Sequence, residues 1–242
     1  MIPLPREHGA WAMLAISLLA GWWAGGLTPP VLTTSVSVVA AFLAQAAWLE
    51  FRSGRNGALP FLVESSVAAG AFTLAASTSS AILAVGAIMA TVGVAAGILR
   101  VRGTNSGGRV GLDSWGAHFA GALALAGVAP LLCAASMEPL DLLRLWLGFA
   151  GSFASGVLLV RTLRGAGASS IPLLVWSLAT FNSWLLLGTD APVAVALAWI
   201  PIPLRWLLLG PLRRKRLGWR ALGLLETALG AWSALWTIVS MR

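Results

Sequence analysis

Nine apolar runs, each near the length that a lipid bilayer demands, divide this chain, and short polar breaks separate them. They cover roughly residues 9–28, 31–49, 58–77, 79–99, 114–135, 140–160, 169–187, 191–211 and 219–240. The hydrocarbon core calls for about 20 mostly apolar residues per spanning helix. Lipid offers the backbone no hydrogen-bond partner, so such runs predict helices, which satisfy their own amides. The breaks carry turn chemistry: Pro29–Pro30, then "FRSGRNG", "STSS", "RVRGTNSGGRVGLD", "MEPLD", "RTLRGAGASS", "GTDAP" and "GPLRRKRLG". The expectation is an all-α, polytopic transmembrane bundle of about nine helices, a single domain over 1–242.

Composition narrows the class further. Apolar residues make up 58% of the chain and charged ones 10%, too few charges to cover a soluble domain of this length. A net charge of +8 would suggest nucleic acid in a soluble protein. Here the basic residues sit between apolar runs, where the positive-inside rule accounts for them. A lone cysteine, Cys133, excludes an internal disulfide and a thiolate metal cluster. The start of the chain has one arginine offset by Glu7 and no clear small-residue cleavage site, so the first segment is expected to be retained.

Charge sets an expected orientation. Arg52 and Arg55 follow the second run; Arg100, Arg102 and Arg109 follow the fourth; Arg161 and Arg164 follow the sixth. Arg213, Arg214, Lys215, Arg216 and Arg220 follow the eighth, while the alternate breaks carry Glu138, Asp141 and Asp190 or no charge. Every even-numbered run therefore ends on the basic side, which places the amino terminus inside, the carboxyl terminus outside, and the protein in the inner (plasma) membrane. Thirteen tryptophans and no tyrosine fit interfacial belts. Trp11, Trp48, Trp115 and Trp219 fall at the inner boundary, and Trp22, Trp23, Trp146 and Trp184 near the outer one. Small residues four apart, such as Gly21 and Gly25, suit close helix contacts.

Ionisable residues inside the runs are the functional candidates, because burying them in a bilayer is costly. Glu64 lies in the third run, His118 in the fifth, Arg205 in the eighth and Glu226 in the ninth. With the expected orientation all four sit within roughly 6–12 Å of the inner boundary, at about 1.5 Å per helical residue. Arg6, Glu7 and His8 stand at the mouth of the first run on the same side. One reading is a cytoplasm-facing polar cavity in which Arg6 and Arg205 contact an anion and Glu7, His8, Glu64, His118 and Glu226 move protons or orient it. The other is that Arg–Glu pairs neutralise one another and hold helices together. Arg161 and Arg164 share a helix face and could grip a phosphate or serve as an orientation signal. Asn182 and Ser183 suit a helix–helix hydrogen bond, and "RRKR" suits anionic lipid. No phosphate-binding loop, dinucleotide fingerprint, zinc-protease motif or nucleophile elbow occurs, and no metal or cofactor is expected.

At "PREHGAWAM" the chain resembles the YwiC-like family of bacterial membrane proteins, which open with such a segment. "SGVLLVRTLRG" is similar to that family's mid-chain segment ending in Val-Arg, and "LGWRALGLLETALG" to its closing helix with a Gly-x-x-Glu element. The resemblance implies a multi-pass protein and draws attention to Glu7, His8, Gly9, Trp11, Arg161 and Glu226. More distantly, "REHGAWAMLAISLLAGWWAG" is similar to the first helix of the UbiA superfamily of intramembrane prenyltransferases, which implies nine helices around a cytoplasm-facing cavity. That chemistry uses two aspartate-rich motifs holding Mg²⁺. At their places this chain reads "WLEFRSGRNGALP", with Glu50 as sole acid, and "RTLRGAG", with none. A single glutamate does not supply the oxygens that Mg²⁺ takes, so an anionic head group would meet arginine directly.

Three functions fit these residues. The first is a membrane protein that binds an anionic lipid or isoprenoid in a cytoplasm-facing cavity. The second is a divergent prenyl or lipid transferase that dispenses with the usual magnesium motifs. The third is a transporter or a subunit of a membrane complex. Membrane lipids are the expected partners, and nucleic acid is not.

Overall fold

The computed structural model describes residues 8–52, 54, 57–105, 112–164, 170–187, 192–215 and 219–241. Among them every regular element is a helix: α1 (His8–Gly25), α2 (Pro29–Arg52), α3 (Leu59–Ala76), α4 (Ser80–Asn105), α5 (Leu112–Ala126), α6 (Val128–Cys133), α7 (Pro139–Arg164), α8 (Ile171–Leu186), α9 (Pro192–Trp199), α10 (Pro201–Lys215) and α11 (Trp219–Val239). Proline opens α2, α7, α9 and α10 and lies in the first turn of α3 and α8, where its missing N–H costs nothing. Gly26, at φ 73°, supplies the left-handed residue that turns α1 into α2. Five helical spans are long and apolar enough to cross a membrane: Pro29–Arg52, Leu59–Ala76, Gly116–Cys133, Pro139–Leu163 and Ala221–Val239. The expected all-α bundle with transmembrane character is what the chain forms.

Helix α7 is the hub. It packs on α5, α6, α8, α10 and α11, and Gly148 through Gly156 are buried on every side. Helix α1 lies against α6 and α11, whereas α2 and α3 pair chiefly with each other. The largest core cluster gathers Ala20, Ile82, Ala129, Leu145, Phe149 and Phe153. At the Gly21–Gly25 spacing the helices do approach closely: a β-carbon on Gly21 would stand 2.8 Å from Leu132 Cβ, and Cys133 Sγ lies 3.7 Å from the Gly21 carbonyl oxygen. The outer faces of α3 and α4 expose Leu59, Leu62, Val67, Leu83, Ile88 and Val94, as lipid-facing surfaces do.

Two of the nine expected runs are broken. The fifth divides into α5 and α6 at Gly127, and the eighth into α9 and α10 at Ile200. Pro130 and Pro201 cause this, since neither has an N–H for the carbonyl four residues earlier. The carbonyls around each break are recovered by neighbouring helices. Ser17 donates to the Leu125 carbonyl at 3.0 Å and Trp146 Nε1 to that of Leu123 at 3.3 Å. At the second break Trp232 Nε1 donates to the Leu197 carbonyl at 2.8 Å and Ser233 to that of Ala198 at 2.9 Å.

Burial divides the tryptophans expected in interfacial belts. Trp23 and Trp48 are exposed, but Trp184 is 1% exposed and packs with Val195, Ala198 and Trp199 in the core. Trp22 is held inward by donating to Ser35 Oγ at 2.8 Å. The side chains of Trp115 and Trp219 lie outside the described residues. Ser183 donates to the Ala179 carbonyl of its own helix rather than across to another, and Asn182 is exposed.

Ser17→Ala and Ser233→Ala should each lower stability by about 0.6–2 kcal/mol, the range for interhelical hydrogen bonds in membrane proteins. Thermal unfolding in detergent micelles measures this, and Ser66→Ala, whose hydroxyl bonds only its own helix at Leu62, is the matched control.

Candidate functional site

Arg205 and Glu226 meet inside the bundle. Arg205 comes from α10, whose first turns are set by Pro201 and Pro203, and its side chain is 1% exposed. Its Nη2 lies 2.9 Å from Glu226 Oε2 on α11, and its Nε donates to both carboxylate oxygens at 3.0 and 3.2 Å. Nη1 donates to Ser155 Oγ on α7 at 3.1 Å, and that hydroxyl donates to the Ser152 carbonyl at 2.8 Å. The carboxylate presses on the α7 backbone at Gly156, where a β-carbon would collide with Glu226 Oε2. Glycine is thus required at 156 for the close approach. The fork geometry of the guanidinium suits this bidentate pairing, and the pair joins three helices.

A second feature lies on another side of α7. A cavity of about 390 Å³ is floored by Val157, Leu158 and Arg161 of α7, with Gly116 and Phe119 of α5 on one wall and Pro172, Val175, Trp176 and Ala179 of α8 on the other. Helices α5 and α8 each pack on α7 and scarcely touch each other. The edge-to-face pair Phe119–Trp176, at 4.9 Å between centroids, bridges them. Val175 and Ala179 are also exposed at the bundle surface, so the cavity is a cleft open toward the side of the bundle. Arg161 is its one charged lining residue among those described, half-buried in the last turn of α7. No described residue pairs with its guanidinium by hydrogen bond or ion pair. Trp176 Nε1 is buried and also lacks a partner among the described residues.

The remaining candidates are dispersed. Glu64 is half-buried on α3, with Oε2 buried and without a partner among the described residues. Its helix packs chiefly on α2, away from α7. His118 is exposed on α5, one residue before Phe119 of the cleft. Arg164 closes α7 and His8 opens α1, but their side chains lie outside the described residues, as do Arg6 and Glu7 altogether. Among the described side chains, then, the structure joins Arg205 with Glu226 and sets Arg161 apart in a cleft of its own. Ser155 and Gly156 escaped the reading of the sequence, although "GSFASG" spaces glycines and hydroxyls along one helix face. Phe119 and Trp176 escaped it because their proximity depends on how α5 and α8 sit on α7. No group of three or more histidine, cysteine or acidic residues suited to a metal occurs among the described residues.

Residues 4–107 match the family model described as YwiC-like protein, which bears out the resemblance read from "PREHGAWAM". The matched segment includes α1 to α4 and Arg6, Glu7, His8 and Glu64, and ends before the cleft and the Arg205–Glu226 pair. No curated protein and no solved structure matches the chain.

Glu226→Leu should cost about 3–5 kcal/mol, because it strands a buried guanidinium. Arg205→Met should cost less, since Glu226 keeps 15% of its side chain exposed. The double variant should recover most of the loss, and a double-mutant cycle by thermal unfolding reads all three values.

Proposed function

We propose that this integral membrane protein binds an amphiphile with an anionic head, a lipid or an isoprenoid, in the cleft between α5 and α8. The observation that carries the reading is Arg161. A guanidinium without a partner among the described residues borders a cavity whose other walls are almost wholly apolar. Binding sites for amphiphiles have that form: much apolar surface and a few polar groups that fix orientation. A phosphate or carboxylate would pair with Arg161 by charge-assisted hydrogen bonds. The chain would lie along Val157, Leu158 and Val175 against the Phe119–Trp176 pair. Because the cleft opens sideways, its occupant enters from the bilayer instead of from water.

The arginine-bearing end of α7 faces the cytoplasm in this reading, as the positive-inside rule directs, and the protein resides in the inner membrane. The Arg205–Glu226 pair then acts as a clamp on the α7–α10–α11 side of the site. It contributes rigidity to the helix that floors the cleft and does not itself contact the head group.

Mass spectrometry of lipids retained by the intact protein in mild detergent tests the site. The wild type should hold a stoichiometric anionic amphiphile, and Arg161→Ala should reduce it roughly tenfold or more, the loss of one charge-assisted contact. Ala179→Trp, which fills the cleft from α8, should displace the occupant with Arg161 intact. Bulk lipid alone in all three well-folded samples would sink the proposal. For the orientation, a reporter fused after Arg242 should be active only when it functions outside the cytoplasm.

A further inference from the structure

In lipid, helices stay together through interhelical hydrogen bonds and close contacts, because the tails around them are as apolar as leucine. Where such fastenings sit along a helix therefore decides which part of it can leave the bundle. For the α2–α3 hairpin they lie toward one end. Trp22 on α1 donates to Ser35 Oγ at 2.8 Å, and Val31 packs with Leu14, Val128 and Leu132. Ala75 and Ala76 join the largest core cluster, and a β-carbon on Gly86 of α4 would collide with the Phe72 ring. Both chain connections to the body, at Gly26 and at Ser77–Ser79, are at this end too. Farthest from it is the edge-to-face pair Trp11–Phe42, with centroids 4.9 Å apart.

Beyond Phe42 the hairpin projects from the body. No described residue from 43 to 71 belongs to any of the hydrophobic clusters. That stretch takes in about 15 Å of α2 and about 20 Å of α3, half or more of the hydrocarbon thickness. Glu64 lies within it, and its buried Oε2 has no partner among the described residues, so that oxygen adds no fastening. Meanwhile α2 and α3 hold each other. Ser37 donates to the Ala68 carbonyl at 2.8 Å, Ala44 and Ala47 are buried, and the Trp48 and Phe61 rings lie 5.1 Å apart.

Helices α3 and α4 share the Ser77–Ser79 turn and then separate, α3 following α2 and α4 following α5. The glycines of α4 mark the divergence. Gly86 is tight against Phe72, whereas a β-carbon on Gly93, two turns along the same face, would meet nothing within 4 Å.

We propose that α2 and α3 form a rigid lever, pinned at its Ser35–Ala75 end, whose Arg52 end swings toward and away from α4 and so closes and opens a wedge between α3 and α4. Lipid tails enter the open wedge at little cost, since they match the side chains in polarity. The swing is a hinge motion on the microsecond-to-millisecond scale. It does not depend on what occupies the α5–α8 cleft.

Pulsed electron–electron resonance on nitroxide-labelled cysteine pairs tests this in lipid nanodiscs, with buried Cys133 left in place. All labels replace exposed residues. The pair Leu59→Cys with Ile171→Cys reports the moving end against α8, and Ser77→Cys with Leu186→Cys reports the pinned end. The first distance distribution should be at least roughly twice as wide as the second. Two control pairs should stay as narrow as the second: Leu59→Cys with Val36→Cys inside the hairpin, and Ile171→Cys with Ala221→Cys inside the body. A narrow Leu59–Ile171 distribution means a fixed hairpin and overturns the proposal. A broad Leu59–Val36 distribution, which means fraying, or a broad Ile171–Ala221 one, which puts the motion in the body, overturns it as well.

Discussion

Polar groups inside this bundle have only one another to bond with, and the Arg205 guanidinium shows how far the fold bends to that constraint. It draws Glu226 from α11 and Ser155 from α7 around itself and closes α10 onto both. The approach is so tight that α7 must be glycine at 156. Once α7 is committed on that side, its other faces are assigned: Val157, Leu158 and Arg161 toward α5 and α8, and Gly148 and Gly151 toward the tryptophans of α8 and α9. The cleft is therefore a product of how one helix is clamped.

The same constraint explains the broken helices. Each proline interrupts a span, and each interruption exposes carbonyls that an apolar environment cannot serve. In both cases the remedy is one indole and one serine hydroxyl, from α7 and α1 at the first break and from α11 at the second. The breaks thus act as additional fastenings, tying α1 and α7 to α5 and tying α11 to α9. Tryptophan does this well because its ring packs as a large apolar body while its single donor fixes a direction.

Much of the architecture was legible in the sequence because bilayer thickness acts on length and hydropathy alone. Run lengths, polar breaks and the Gly21–Gly25 spacing required no knowledge of which helix touches which. Arg205 and Glu226 stood out for a similar reason, since charge within an apolar run must find a partner. Pairing itself was not legible. Helices such as α3 and α4 are apolar around their whole circumference, so the pattern does not mark an inward face. Trp184 looked like an interfacial residue by its position along the run and proved to be core, because rotation about the helix axis decided its surroundings. Phe119 and Trp176 belong to one cleft for a reason visible only when α5 and α8 are both laid on α7.

The unequal packing of the amino-terminal helices has a consequence for biosynthesis. Helix α2 finds its main partner in α3, which follows it directly, so that hairpin can settle while the ribosome is still at work. Helix α1 emerges before α2, yet its principal neighbours are α6 and α11, the latter ending at Val239. Until those two are made, the segment that opens with "HGAW" must wait without its main partners. A helix made before α2 is put in place after it, and α11 helps to hold it there.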